Sequence, residues 1–184
     1  KVLVPNKQWT DPASVKEALD DIGGGRNVQI TRLPMFPHYV GRRLDEIARA
    51  EGVSEVDLYI RIVKDEDAGM IGHTMIAADM QAFLRQPWAM VASDGGVGNN
   101  HPRGAGTFPR VLGRFVRDEQ WLTLPEAIRK MTSMPAARLG LKDRGTIAVG
   151  MKADLVLFDP DTVLDLSTFE SPRLLARGIH TALV

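Results

Sequence analysis

The chain has 184 residues, of which 44% are hydrophobic and 25% are charged, and its formal net charge is zero. This composition is typical of a globular protein and lacks the basic excess of nucleic-acid-binding proteins, and the absence of cysteine excludes disulfides and thiolate metal sites within the chain. With no run of 18 apolar residues and no visible signal peptide, the sequence predicts no membrane span and a cytoplasmic location. The chain starts at Lys1 without an initiator methionine and ends inside the apolar run 179–184, so we expect it to be a piece of a longer protein.

The first half of the sequence predicts one strand and three helices. Residues 27–33, NVQITRL, alternate apolar and polar side chains as a strand does, and the apolar spacing over 40–52 predicts a helix that stops at Gly52. The sequence SEVD resembles a capping box, which predicts that a second helix starts near Glu55. A short apolar piece at 68–72 precedes a third helix over 75–86, which Pro87 would terminate.

The second half predicts one more strand, two helices and a β-rich tail. WAMVAS at 88–93 is short, apolar and bounded by proline and glycine, as expected of a parallel strand that is buried on both faces. Helices are predicted over 107–120, with Thr107 as the N-cap, and from Thr123. Three short strands are then expected, at 145–150, 153–159 and 178–184. Alternating helices and strands followed by a β tail indicate two architectural units.

Asp94 is the first candidate for a functional residue, because it follows the predicted strand at 88–93. Active sites of α/β proteins gather at the carboxyl ends of their strands. Gly95 and Gly96 would let the chain turn sharply there and let a ligand approach the backbone. From the spacing alone Asp94 could bind a metal, shuttle a proton, or simply cap the turn, and aspartate before glycine is a common turn former.

The sequence His101-Pro102-Arg103 follows shortly afterwards. A functional Arg103 would bind a substrate carboxylate through its planar guanidinium, while the plainer alternative is a surface cation. His101 in a polar loop is more often solvated than functional. No two histidines have the spacing of a local metal site, so this chain alone cannot supply a complete zinc site.

Several longer motifs resemble the carboxyl-terminal part of N-acyl-D-amino-acid deacylases (D-aminoacylases) of the amidohydrolase superfamily. They are SDG (93–95), HPRGAGTFPRVLGRFVR (101–117), the stretch from LPEAIRKMTS to LVLFDPDTV (124–163) and TFESP (168–172). The resemblance is strongest from about residue 88 onward and looser over 27–86. The long stretch is typical of the superfamily, and the HPR motif narrows the resemblance to the deacylases.

The resemblance implies an α/β fold, namely the carboxyl-terminal part of a metal-dependent (β/α)8 barrel plus returning strands of a small β-sandwich domain. Residues 1–144 would hold the last strands and helices of the barrel, and residues 145–184 the strands of the small domain. WAMVASD would be the eighth barrel strand and NVQITRL the seventh. One or two zinc ions would be held by histidine and cysteine residues on earlier strands, outside this chain.

The resemblance also implies residue roles. Asp94 matches the aspartate that shuttles a proton in the hydrolysis of the amide, and it can also ligate a metal. Arg103 matches the arginine that binds the α-carboxylate of the N-acyl-D-amino acid. His101 would position the loop beside the substrate, and Thr31 falls near a position where the family places a small hydroxyl residue.

Two alternatives to a zinc-dependent deacylase remain open. One is another amidohydrolase that acts on cyclic amides, of the hydantoinase or dihydroorotase type. The other is a non-catalytic module that completes the barrel of another chain. Because a partial barrel exposes strand edges, we expect the piece to be inactive alone and to associate with the missing amino-terminal portion or with itself. We expect the partner to be a small molecule, and neither a nucleic acid nor a membrane.

Overall fold

The computed structural model describes residues 9–64, 68–96 and 101–184. Its contacts divide the chain into two units, one up to Met75 and one from Ile76 onward. The structure is mixed α/β, as predicted. The predicted domain boundary between residues 144 and 145 lies inside the second unit and stays a prediction.

Three helices of the first unit begin and end where the sequence provides caps. Helix α1 (Pro12–Asp21) starts at Asp11, and hydrogen bonds from the hydroxyl and N–H of Ser14 lower the pKa of that carboxyl. Helix α2 (Leu44–Glu51) ends at Gly52, whose φ of 68° is the left-handed conformation that glycine adopts without strain. Helix α3 (Glu55–Val63) starts after Ser54, whose hydroxyl accepts the N–H of Asp57 at 3.0 Å. The helices predicted over 40–52 and from Glu55 are therefore confirmed.

The strand predicted over 27–33 is formed, but its pairing is not that of a parallel barrel. Strand β1 (Val28–Arg32) pairs antiparallel with β2 (Gly69–Gly72), with Val28 opposite Gly72 and Ile30 opposite Met70. On its other side Gln29 forms an antiparallel bridge with Arg43. A barrel strand has parallel neighbours, so the prediction that NVQITRL is the seventh barrel strand is wrong.

The core of the first unit lies between its helices and β1. Residues from all four elements are buried, and the helices α1 and α2 both contact α3. The fully buried side chains include Val15, Ile30, Leu44, Ile47, Leu58 and Ile62. Burial of each aliphatic side chain of this size contributes about 1.5–3 kcal/mol to the folded state.

In the second unit the predicted helix over 75–86 is confirmed as α4 (Ala77–Leu84), but the predicted strand over 88–93 is not formed. Trp88 is 63% exposed and Met90 is 40% exposed, so the segment is not buried on both faces either. A strand exists only when neighbouring strands accept and donate its backbone hydrogen bonds. Within the described residues, no strand lies beside this segment.

The helix predicted over 107–120 begins four residues earlier than expected. Helix α5 (Arg103–Arg110) continues as a π-helix over Val111–Asp118, where the N–H of Glu119 donates to the carbonyl of Arg114 five residues before it. Thr107 is therefore not the N-cap, and its hydroxyl instead donates to the carbonyl of Arg103 at 2.8 Å. Pro109 lies inside α5. Because proline has no backbone N–H, one hydrogen bond of the ordinary helical ladder is missing at this point.

The remaining helices follow their predicted caps. Helix α6 (Leu124–Met131) starts at Thr123, and α7 (Ser133–Arg138) is followed by Gly140 with a φ of 71°. A hydrogen bond from Arg129 lowers the pKa of Glu126, in the first turn of α6, to about 2. Phe115 of the π-helix stacks on Trp121 with ring centroids 4.2 Å apart, and both pack in a small core with Val111 and Ala127.

The β tail contains two of the three predicted strands. Strand β3 (Leu155–Phe158) pairs antiparallel with β4 (Ile179–Leu183), with Val156 opposite Ala182. The predicted strand at 145–150 is wrong, because this stretch forms bends and a turn without strand pairing, and its apolar residues Ile147 and Val149 are exposed. Within the described part of the chain, no helix has the length and hydrophobicity of a membrane span.

Candidate functional site

Asp94 has an unusual backbone conformation. Its φ is +45°, in the left-handed region that few residues other than glycine, asparagine and aspartate enter. Its carboxylate is 82% exposed, and the N–H of the next residue, Gly95, donates to the hydroxyl of Ser93 at 3.2 Å. The backbone turns sharply here, as the predicted turn requires, and it leaves the carboxylate accessible.

Arg103 lies next to Asp94 in space. A guanidinium nitrogen of Arg103 is 2.9 Å from a carboxylate oxygen of Asp94, and the arginine side chain is 42% exposed. Arg103 is the first residue of α5. The structure thus brings together the two residues that the sequence singled out as proton shuttle and carboxylate ligand. An exposed ion pair of this kind adds little to stability, so stability does not explain why the two groups meet.

His101 takes part in the turn that precedes α5. Its ring nitrogen Nδ1 accepts the backbone N–H of Arg103 at 3.1 Å, so the neutral ring carries its proton on Nε2. The ring stands edge-on to Phe169 with centroids 5.3 Å apart. His101 therefore fixes the conformation of the HPR turn, and its predicted contact with a substrate stays a prediction.

A close backbone contact joins the two parts of the site. A Cβ atom added to Gly95 would lie 2.6 Å from the Cα of Gly104, which follows Arg103. Only glycine fits at such a distance. The contact explains why glycine stands directly after Asp94, and it keeps the Asp94 turn against the start of α5.

Thr31 belongs to the first unit, at the partly buried end of β1. Its hydroxyl oxygen would be 3.0 Å from a Cβ placed on Gly69 of the neighbouring strand. The structure gives Thr31 a defined place in this sheet, and its role beside a substrate stays a prediction.

Among the described residues, no three histidine, aspartate or glutamate side chains converge on a point that could hold a metal ion. His73 is instead 2.9 Å from the side-chain oxygen of Gln29, and burial, with a smaller contribution from Arg43, lowers its pKa. Asp94 is the one candidate ligand that the sequence proposed, and a single carboxylate does not make a zinc site.

The sequence analysis missed Lys130 of α6, which holds the segment leading to Asp94. Its side chain is fully buried, and its ammonium group donates to the carbonyls of Gln86 and Ala89, the latter at 2.9 Å. The backbone carbonyl of Lys130 in turn accepts the N–H of Val91 at 3.2 Å. The signal in the sequence was a lysine on the apolar face of a helix, three residues after the buried Ala127.

Comparisons with known proteins bear on what this arrangement does. The D-aminoacylase of Alcaligenes xylosoxydans xylosoxydans is 44% identical over 162 residues, which are 87% of this chain and 33% of that protein. The N-acyl-D-glutamate deacylase of the same organism is 41% identical over 160 residues, which are 86% of this chain and 32% of that protein. The chain thus spans about a third of the length of these relatives.

A solved structure is similar over most of the chain. It is the crystal structure of N-acyl-D-glutamate deacylase from Bordetella bronchiseptica, complexed with zinc and a phosphonate inhibitor that mimics the tetrahedral intermediate. The TM-score is 0.80 at 35% identity, and the match covers 90% of this chain and 35% of that one. The resemblance to deacylases that the motifs indicated is therefore confirmed. The sequence model of the amidohydrolase family also matches residues 6–183, and the chain belongs to that family.

Proposed function

We propose that the protein to which this chain belongs is a zinc-dependent hydrolase of the amide bond of N-acyl-D-amino acids. The ion pair between Asp94 and Arg103 is the observation that carries the proposal. It puts a carboxylate that can exchange protons beside a guanidinium that can bind an anionic substrate, at the first turn of one helix. The similarity to the deacylases supports the same chemistry.

Each of the two residues has a separate task in this proposal. Arg103 binds the α-carboxylate of the substrate and so fixes the position of the amide relative to Asp94. Asp94 accepts a proton from the water that attacks the amide carbonyl. When the C–N bond breaks, Asp94 delivers this proton to the nitrogen, and the amine leaves in its neutral form. His101 holds the turn before Arg103, and Thr31 is a further candidate substrate contact.

The described residues do not fit a complete zinc site, because no three histidine, aspartate or glutamate side chains among them converge, and Asp94 would supply one ligand at most. One or two zinc ions would require ligands from the remaining two thirds of the protein. Zinc would supply a water of lowered pKa when bound.

The same two thirds would complete the fold. We propose that residues 1–144 belong to the domain that contains a (β/α)8 barrel, and that 145–184 are strands of a small β domain. In this domain β1 and β2 are an antiparallel pair outside the barrel strands, and 88–93 becomes the last barrel strand once a neighbouring strand supplies its backbone hydrogen bonds. In the tail, Val156, Leu157 and Leu183 are each more than half exposed. Exposed apolar side chains of this kind support the proposal that other parts of the whole protein pack against these strands. Self-association of the isolated chain would be the alternative way to cover them.

The test of the proposed function uses the full-length protein. We expect bound zinc by elemental analysis and hydrolysis of N-acyl-D-amino acids, with the L enantiomers at least about 100-fold poorer substrates because only one configuration aligns the amide when Arg103 holds the carboxylate. Hydrolysis of cyclic amides instead would identify an enzyme of the hydantoinase or dihydroorotase type. Protein without metal and without amidase activity would indicate a non-catalytic module.

The contact between Gly95 and Gly104 provides a second test with a control one residue away. In the full-length protein, Gly95→Ala places a methyl group where Gly104 lies and pushes the Asp94 turn away from α5. We expect kcat/KM to fall by about tenfold or more, since displacements near 1 Å are costly in catalysis. Gly96→Ala is the control, because no atom lies within 4 Å of its added Cβ. Equal activity of the two variants would show that this contact does not hold the site.

A further inference from the structure

A segment from the far end of the chain lies against the start of α5 through one buried residue. Ser167 is only 3% exposed, and its hydroxyl donates to the carbonyl of Pro102 at 3.0 Å. Pro102 directly precedes Arg103 and is itself buried. The same carbonyl also accepts the N–H of Gly106 at 2.8 Å, so the hydroxyl of Ser167 fills its second acceptor position.

Two neighbours of Ser167 contact the same helix and turn. Phe169 meets the ring of His101 edge-on. Asp165, whose side chain is 6% exposed, accepts a hydrogen bond from Nε of Arg110 at 2.8 Å. These contacts reach both ends of α5 and the turn before it. We name residues 165–169 the strap.

The helix has a matching feature on the side that faces the strap. Gly106 lies so close to the hydroxyl of Ser167 that an added Cβ atom would collide with it, and the Cβ of Asp165 would be 3.3 Å away. A glycine in the middle of a helix is unfavourable by about 0.5–1 kcal/mol relative to alanine. Its presence here is explained by the close approach of the strap.

We propose that the strap positions Arg103 for the substrate carboxylate and that Ser167 is its central positioning residue. The inference rests on the proposed function. The backbone of Arg103 is fixed on both sides, since its N–H donates to His101 of the preceding turn and its carbonyl accepts the hydroxyl of Thr107 within α5. The strap contacts His101 and Pro102 directly, so it sets the place from which the guanidinium projects. The TFESP motif, which no assigned role explained, begins inside the strap.

The test is Ser167→Ala in the full-length protein, with Thr162→Ala as the matched control. Thr162 lies outside the strap and is exposed, and its hydroxyl donates to the nearby carboxylate of Asp159 at 2.8 Å. KM and kcat are measured for an N-acyl-D-amino acid, and the affinity for its primary amide analogue is measured by inhibition. We expect Ser167→Ala to raise KM for the carboxylate substrate by about fivefold, the value of one ordinary hydrogen bond, with kcat and the affinity for the amide unchanged.

A merely structural role would produce a different pattern. If Ser167→Ala weakens the binding of the carboxylate substrate and of the amide analogue equally, or leaves the KM for the substrate unchanged, the strap does not act through Arg103. Phe169→Leu, which removes the ring contact with His101 and keeps the hydroxyl of Ser167, is the second variant should Ser167→Ala fail to fold. The same selective rise in KM is expected, and its absence overturns the proposal.

The Arg103→Ala background separates this inference from the function on which it rests. There, Ser167→Ala should add no further rise in KM, because the residue it positions is gone. If Arg103→Ala itself leaves KM unchanged, the proposed role of Arg103 fails and the inference fails with it. If Arg103→Ala raises KM and Ser167→Ala does not, the inference alone is wrong.

Discussion

Asp94→Asn in the full-length protein is expected to lower kcat by a factor of about 10²–10⁴, the usual contribution of a positioned general acid or base. The amide of asparagine can neither accept the proton of the attacking water nor deliver it to the leaving nitrogen. KM should change much less than kcat, because Arg103 still binds the carboxylate. Steady-state kinetics with an N-acyl-D-amino acid measure both constants.

Asparagine is the informative replacement because of the backbone at this position. A φ of +45° is tolerated by asparagine about as well as by aspartate, so the variant removes the chemistry and keeps the turn. The control is Asp20→Asn, which makes the same change in an exposed ion pair with Lys16 on α1. A kcat of Asp94→Asn that equals that of Asp20→Asn would remove Asp94 from the mechanism.

Arg103→Ala is expected to raise KM for N-acyl-D-amino acids by about 10- to 100-fold, which corresponds to the loss of hydrogen bonds to a charged group. Affinity for a substrate analogue without the carboxylate should not fall. Arg103→Lys should recover part of the loss, because lysine keeps the charge without the two parallel N–H donors.

The control for Arg103 is Arg49→Ala, another exposed arginine that pairs with an aspartate, Asp45, at 3.3 Å. The KM of Arg49→Ala should equal that of the protein without substitutions. An unchanged KM for Arg103→Ala would show that the substrate carboxylate binds elsewhere, and the ion pair with Asp94 would then be a surface contact only.

Helix starts were the part of the fold that local sequence specified best. The hydroxyls of Ser54 and Thr123 accept backbone N–H groups at the first turns of α3 and α6, and such caps depend on only four consecutive residues. Thr107 misled the same reasoning. A threonine can cap a helix or bond backward within it, and the tertiary contact of Pro102 with the strap favours the earlier start at Arg103.

Strand predictions failed where the outcome depends on distant neighbours. The apolar sequence at 88–93 fits a buried strand, yet a strand requires pairing partners that local sequence does not reveal. Residues 145–150 failed for the same reason. The pairing direction of β1 was also invisible, because alternation of side chains is the same in parallel and antiparallel strands.

In the site, local sequence was enough to select Asp94 and Arg103, because a carboxylate before two glycines and an arginine after proline are unusual within a few residues. Their separation of 2.9 Å required the structure. Lys130 lies 36 residues after Asp94, and Ser167 lies 64 residues after Arg103. Local sequence could not reveal either contact, because each side chain donates to a backbone carbonyl that is distant in sequence.

The close approaches of Gly106 to Ser167 and of Gly113 to the carbonyl of Val163 have a consequence for how this family can vary. Along the helix Gly106 comes before Gly113, whereas their partners come in the reverse order, with Val163 before Ser167. The two segments are therefore antiparallel and meet at two points. Seven helical residues rise at most about 10 Å, and the four residues from Val163 to Ser167 can span this distance, since four fully extended residues reach about 13 Å. Insertions between residues 119 and 162 leave the spacing of the two contacts unchanged, whereas a single inserted or deleted residue within either interval would slide one glycine out of register and place a side chain against backbone.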